Sequence, residues 1–203
     1  MRVEPVTSKL AREVAEREHY MHRKPVVSRA FGLYDVAELV GVCVYGTPAS
    51  RHLQLGAYPS DPGKVLELNR LWVHDRMPRN TESWFVSRTL GGLEQRMVVS
   101  YADTVEGHLG YVYRALNFHY AGWTDMERKT ARYDYIPHEE GAHSREAFRS
   151  GYRERVRRRP KVKYWTATGT PAQRREIRRG SGWPVMDWRE DPPPLEHRQR
   201  VRG

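Results

Sequence analysis

The chain has 203 residues, enough for one compact domain with extensions. Hydrophobic residues make up 38% of it, enough for one core, and no apolar run approaches the roughly 20 residues that span a membrane. The N-terminal MRVEPVTSKLAREVAE lacks the apolar stretch of a secretory signal. Cys43 is the single cysteine, which excludes an internal disulfide framework and a cysteine-rich zinc site. Together these features predict a cytoplasmic protein.

The net charge of +10 is unevenly placed. Residues 1–144 carry 18 Lys+Arg and 18 Asp+Glu, whereas residues 145–203 carry 17 and 7, so the whole excess lies in the last 59 positions. A neutral core with a basic extension points to a polyanionic partner, because phosphate contacts by Arg and Lys release counterions.

In chain order, residues 7–18 predict an amphipathic helix capped by Thr7 or Ser8, with Leu10 and Val14 at helical spacing. FGLYDV and LVGVCVYG flank a short turn and predict a β-hairpin. Residues 47–63, rich in Pro and Gly, read as a loop. KVLELNRLWV alternates Val65, Glu67, Asn69 and Leu71 against Leu66, Leu68, Arg70 and Trp72, the period of a strand. HDRMPRN is a turn, and TESWFVSRTLGGLEQR a helix capped by Asn80 or Thr81, with a Gly pair near its end. MVVSYAD, HLGYVYRALN and FHYAGWT follow as strand, helix and strand. Beyond these come a basic helix over 144–159, a strand KVKYWTA, and a helix TPAQRREIRR with Pro171 in its first turn. The order predicts an α/β fold, a mixed central sheet flanked by helices with a basic C-terminal extension. The expected division is a core over 1–135 including the N-terminal helix, a basic segment over 136–190 that completes the fold, and a disordered tail over 191–203.

GYVYRALNFHYAG resembles the GNAT acyltransferase pattern, in which a Tyr stands five residues before the Phe of a GF pair. Tyr113 and Phe118 keep that spacing, and Asn117 replaces the Gly, a tolerable exchange at a left-handed helix end. The resemblance implies a proton-donor role for Tyr113, set against simple packing at a helix end. It also implies an acyl-CoA pyrophosphate turn before the TESW helix. Here that turn is RMPRNTES, without Gly, which argues against acetyl-CoA as donor. Arg79, Asn80, Thr81 and Ser83 could still hold an anion at the helix N-terminus. LVGVCVYGTPAS, ELNRLWV, NTESWFVSRTL, SYAD and GHLGYVYRALNFHYAG occur in that order, and over residues 18–124 the chain resembles the Mom family known from phage Mu. That resemblance implies a phage-encoded, GNAT-like enzyme that converts adenine in double-stranded DNA to its N6-carbamoylmethyl derivative and so protects phage DNA from restriction.

The candidate catalytic residues are Asp103, Tyr113, Glu67 and Ser83. Asp103 ends a strand where α/β crevices open, and could orient or deprotonate an amine, or cap a turn. Glu67 is either a base or a half-exposed strand carboxylate. Substrate contacts are assigned to His19, Tyr20, His22, Tyr101, His108, Asn117 and Tyr120, with Tyr20, Trp84, Tyr101 and Tyr120 as stacking candidates for a flipped base. Two histidines such as His19 and His22 do not make a metal site, and no metal is assigned. Arg157, Arg158, Arg159, Lys161, Lys163, Arg174 and Arg175 are the candidates for DNA phosphate. The donor of the acetamido group is left open. Two other readings compete: an acyl-CoA-dependent N-acetyltransferase acting on a small molecule or protein, and a non-catalytic nucleic-acid-binding module.

Overall fold

The computed structural model describes residues 1–126, 129–136 and 144–192. Its framework is a seven-stranded mixed sheet in the order β1-β2-β3-β4-β5-β9-β6. The strands are β1 (Arg2–Pro5), β2 (Arg29–Asp35), β3 (Glu38–Gly46), β4 (Val65–Val73), β5 (Met97–Asp103), β6 (His119–Trp123) and β9 (Lys161–Ala167). Only β4 and β5 run parallel; every other pair in the sheet is antiparallel. A separate hairpin joins β7 (Tyr133–Tyr135) to β8 (Arg155–Arg157). The helices are α1 (Ser8–Glu18), α2 (Arg51–Ala57), α3 (Thr81–Gly91), α4 (Tyr111–Ala115), α5 (Ser144–Arg149) and α6 (Pro171–Gly180). The α/β architecture with helices flanking a mixed sheet is the one the sequence implies. Among the described residues, no helix is long and apolar enough to cross a membrane.

Helix α1 starts where Thr7 accepts a hydrogen bond from the Leu10 amide, a cap that contributes about 1 kcal/mol. Its buried stripe, Ala11, Val14 and Ala15, has the spacing of one helical face; Ala11 and Val14 pack on Ala30, Val42 and Val44. The opposite face of the sheet carries the largest cluster, in which Leu33, Tyr45, Leu68, Val98 and Tyr164 pack with Phe85 and Val86 of α3. Within it, Tyr45 and the buried Thr89 share a 2.6 Å hydrogen bond, and Thr89 donates onward to the Val86 carbonyl.

Four local expectations are corrected. The loop over 47–63 contains α2, capped by the Ser50 hydroxyl, which accepts from the Leu53 amide. The helix expected over 144–159 stops at Arg149, and β8 follows, paired with β7. Helix α4 covers Tyr111–Ala115 only. The simple alternation read into β4 fails after Leu68. There Leu68 faces Tyr45, Arg70 faces Val44 and Leu71 faces Cys43, with a register shift between Val44 and Tyr45. A β-bulge at Asn69 therefore puts Leu71 on the same face as Leu66 and Leu68. The polar tail read over 191–203 lies outside the described residues from position 193 onward.

Candidate active site

The parallel strands β4 and β5 pair over four residues only, from Val65↔Met97 to Leu68↔Ser100. Both strands continue beyond that point but no longer bond to each other. At the fork the Ser100 hydroxyl donates to the Leu68 carbonyl at 2.9 Å. This side-chain bond stands where the next ladder rung would be, and the bulge at Asn69 adds local twist that turns β4 away. Two cavities open on the fork, of about 770 and 480 Å³. They share Tyr20, Leu68, Asn69, Arg70 and Tyr101.

The larger cavity is lined by Glu67 of β4, Tyr101 and Asp103 of β5, Lys161 of β9, and Arg158 and Arg159 beside the β7–β8 hairpin. Burial raises the Glu67 carboxyl above its usual range, with Arg70 and Lys161 pulling the other way. Asp103 is held twice: its carboxylate pairs with the Lys161 ammonium at 2.6 Å and accepts from the Val105 amide at 3.1 Å. Asp103 is thus a turn cap that also lines the cavity. Burial also raises the Tyr101 phenol, with Glu67 adding to the effect.

The smaller cavity is lined by His19, Tyr20, His108 and Tyr113, with Asp75 and Glu82 also in its wall. Burial pushes the Tyr113 phenol up to about 12, a hydrogen bond with Ser100 partly offsetting it. Its ring packs between Phe118 and Tyr164, at 5.4 and 5.3 Å between centroids. Tyr20 is 40% exposed, stacks on His19 at 4.2 Å and meets the edge of His108 at 5.4 Å. The Met21 amide donates to His19 Nδ1. Burial, with Arg70 nearby, lowers the His19 imidazole to about 3, so the ring is neutral at physiological pH.

Ten of the residues singled out from sequence, Glu67, Tyr101, Asp103, Tyr113, His19, Tyr20, His108, Arg158, Arg159 and Lys161, thus converge on one fork. Others do not. His22 is exposed, and its ring bonds the Glu16 carbonyl. Tyr120 is 5% exposed, donates to the Asp191 carbonyl and packs on Tyr164 and Trp188, so it is core. Asn117 has φ of 55° at the end of α4, the left-handed conformation expected of it, but it lines a third cavity of about 410 Å³ away from the fork. Trp84 packs against the core and under Arg88 rather than in either fork cavity. In the α3 turn, Thr81 donates to the Pro78 carbonyl and Ser83 to the Asn80 carbonyl, so both hydroxyl protons are spent on the turn itself. Arg79 and Asn80 are exposed, and neither they, Thr81 nor Ser83 lines the cavities.

The basic candidates split into two groups. Arg157, Arg158, Arg159, Lys161 and Lys163 lie on or beside β8 and β9, near the larger cavity; Arg158 is bidentate to Asp134, and Lys163 sits 5.2 Å over the Trp183 ring. Arg174 and Arg175 are on α6, which follows the end of β9 that pairs with Met97, the far end of the sheet. Arg174 lines the third cavity with Asn117. Sequence reasoning missed Asn69 as a site residue and gave Arg70 no role. A polar NR pair inside an apolar strand was the available signal. Among the described residues, no group of three or more His, Cys, Asp or Glu is placed to hold a metal.

Solved structures similar to this chain include a GNAT-like decarboxylase, GphF, in complex with isobutyryl-CoA, with a TM-score of 0.46, 14% identity, and coverage of 82% of this chain and 99% of that one. An N-acetyltransferase from Staphylococcus aureus Mu50 gives a TM-score of 0.44 at 9% identity, covering 82% and 97%. A Bacillus subtilis acetyltransferase in complex with CoA gives 0.40 at 12% identity, covering 81% and 96%. Among curated proteins, the methylcarbamoylase mom of Escherichia phage Mu is 36% identical over 134 residues. These are 60% of this chain and 54% of the phage Mu protein, so the chain spans about half the length of that relative. The family model described as the Mom protein family matches residues 1–179, and the chain belongs to that family.

Proposed function

We propose that this protein transfers a carbamoylmethyl group to the exocyclic amine of adenine in double-stranded DNA, protecting phage DNA from restriction. The observation that carries this reading is the meeting of two cavities at the β4–β5 fork, with Tyr20 and Tyr101 at their junction and Glu67 in the wall of the larger one. The name and 36% identity of the phage Mu relative supply the reaction class. The larger cavity, ringed by Arg158, Arg159 and Lys161, takes a base flipped from the duplex. The smaller cavity takes the donor.

The exocyclic amine is a poor nucleophile because its lone pair is delocalised into the ring, so positioning and proton removal carry the rate. In this reading N6 attacks the methylene carbon of the carbamoylmethyl group and forms the new N–C bond. The bond from that carbon to the donor's leaving group breaks, and its electron pair departs with the leaving group. Glu67, its basicity raised by burial, accepts the N6 proton. Tyr113 stays protonated at neutral pH and supplies a proton to the leaving group. Asp103 and Lys161 hold the cavity wall in one geometry.

The donor side bears on the cofactor. Glu82 sits in the first turn of α3 and lines the donor cavity with Asp75. A carboxylate already occupies the positive end of the helix dipole, which disfavours a pyrophosphate there. This supports a donor other than acetyl-CoA.

The test is to express the protein in bacteria, digest total DNA to nucleosides, and search by mass spectrometry for deoxyadenosine bearing an acetamido group. Glu67→Gln and empty-vector strains run in parallel. An adduct with the intact protein alone supports the reading. DNA that is bound by the folded protein yet stays unmodified, in a host competent for phage DNA modification, refutes it.

A further inference from the structure

Asn69 and Arg70 are consecutive residues whose side chains share one face of β4. In a regular strand they would point to opposite faces. The bulge at Asn69 removes that alternation, since Leu68 faces Tyr45 and Arg70 faces Val44. Both residues line both cavities of the fork.

Each is half-satisfied. The Asn69 Nδ2 donates to the Val26 carbonyl at 2.9 Å, which fixes the amide's orientation and leaves Oδ1 buried without a partner. The Arg70 Nη1 donates to the Asn69 carbonyl at 2.6 Å, and Nε is buried without a partner. A buried polar atom without a partner carries a desolvation cost and calls for an explanation in bound ligand or function. Here one orphan is an acceptor and the neighbouring orphan is a donor.

We propose, resting on the adenine-transfer reading above, that Asn69 and Arg70 recognise the Watson–Crick edge of the flipped adenine. The Arg70 Nε–H donates to N1, and the Asn69 Oδ1 accepts from N6–H. The free atoms are sealed from solvent without a base, so its edge reaches them as the Arg70 guanidinium turns aside, the Asn69 amide staying on the Val26 carbonyl. Tyr20 and Tyr101, which line the same junction, flank the ring. The N6–H held by Asn69 orients the amine for attack while Glu67, two residues before it on β4, takes the other proton. This donor–acceptor order matches amino bases and opposes keto bases, because hypoxanthine and guanine present an acceptor at position 6 and a donor at N1. Cytosine presents the same order through N3 and N4–H, so the pair separates amino from keto bases.

The experiment measures binding to duplexes carrying one mispaired adenine or one mispaired hypoxanthine at the same position, a mismatch that lowers the cost of flipping. The intact protein prefers adenine by about tenfold or more, the discrimination that a bidentate base contact provides. In Asn69→Ala and Arg70→Lys the preference falls towards unity, with phosphate-driven binding retained. Arg70→Lys keeps the charge, and thermal unfolding within a few degrees of the intact protein qualifies each variant. If the intact protein leaves the acetamido adduct on cellular DNA but both folded variants keep the full preference, the edge assignment is overturned and the transfer reading stands. If no adduct forms and no preference exists, both are overturned. If acetamide protects the intact protein but neither variant, and no base preference is seen, the pair binds the carboxamide of the transferred group and the adenine assignment is overturned.

Discussion

Gly110 gives the sharpest test of the packing behind the fork. It precedes α4, has φ of 78°, and lines the donor cavity. A Cβ placed there would stand 2.6 Å from Tyr164 Cζ and closer still to Cε2. Tyr164 is fully buried and donates to the Leu109 carbonyl, and its ring packs 5.3 Å from that of Tyr113. Gly110→Ala therefore combines two costs. The left-handed backbone costs an alanine about 1–2 kcal/mol, and forcing aside a packed ring costs about 1–3 kcal/mol. The stiffer unfolded chain returns about 0.4–1 kcal/mol. The net loss is roughly 1–4.5 kcal/mol, a melting shift of roughly 2–18 °C for a chain of this size. Calorimetry or chemical denaturation measures it. The clash is specific to the Tyr164 ring, so a double-mutant cycle with Tyr164→Leu recovers at least about 1 kcal/mol of coupling. Turnover falls in the single variant, because the displaced ring supports Tyr113. A Gly110→Ala protein that melts within about 1 °C of the intact one would refute this account of the packing.

Asn117→Val places a β-branched residue at φ of 55° and costs about 1–2 kcal/mol, whereas Asn117→Gly is tolerated; equal denaturation midpoints for the two would sink this. Glu67 has its folded pKa raised by burial, so it favours the native state below the unfolded pKa, and that contribution is lost as pH rises through the folded value. Glu67→Gln is thus expected to be more stable than the intact protein at pH 8 yet inactive, and the intact protein's rate falls as acid protonates Glu67; a less stable, fully active variant would contradict both halves. His19 has its folded pKa lowered to about 3 against the ordinary 6.5, so the unfolded chain binds the extra proton between those values. Stability therefore rises from pH 3 to 6.5 and is complete above it, and His19→Asn flattens that slope in urea titrations; an unchanged slope argues against a buried neutral ring. Arg159→Ala, at the larger cavity, lowers the slope of log affinity against log salt by about 0.9. Arg175→Ala, on α6 at the far end of the sheet, leaves it unchanged; the reverse pattern would move the DNA track to α6.

The sequence by itself determined whatever depends on near neighbours. The Thr7 cap, the apolar stripe of α1, the β2–β3 hairpin, the strand over 65–73 and the left-handed Asn117 all follow from local sterics and periodicity. The family resemblance selected most of the residues that meet at the fork, because its motifs carry them in order. Other features could be decided only by the tertiary structure. β9 comes from the basic segment yet lies between β5 and β6, and it brings Lys161 to Asp103 across 58 positions of sequence. Tyr120 and Tyr20 are equivalent as residues, but packing on Tyr164 and Trp188 commits the first to the core. The bulge at Asn69 is invisible in the alternation of KVLELNRLWV, because a strand's period is exact only while its partner keeps register. One extra residue against β3 turned Asn69 and Arg70 to the same side and left their polar atoms waiting at the junction of two cavities. Which residues can act was written along the chain; which of them act together was set by contacts between segments far apart in it.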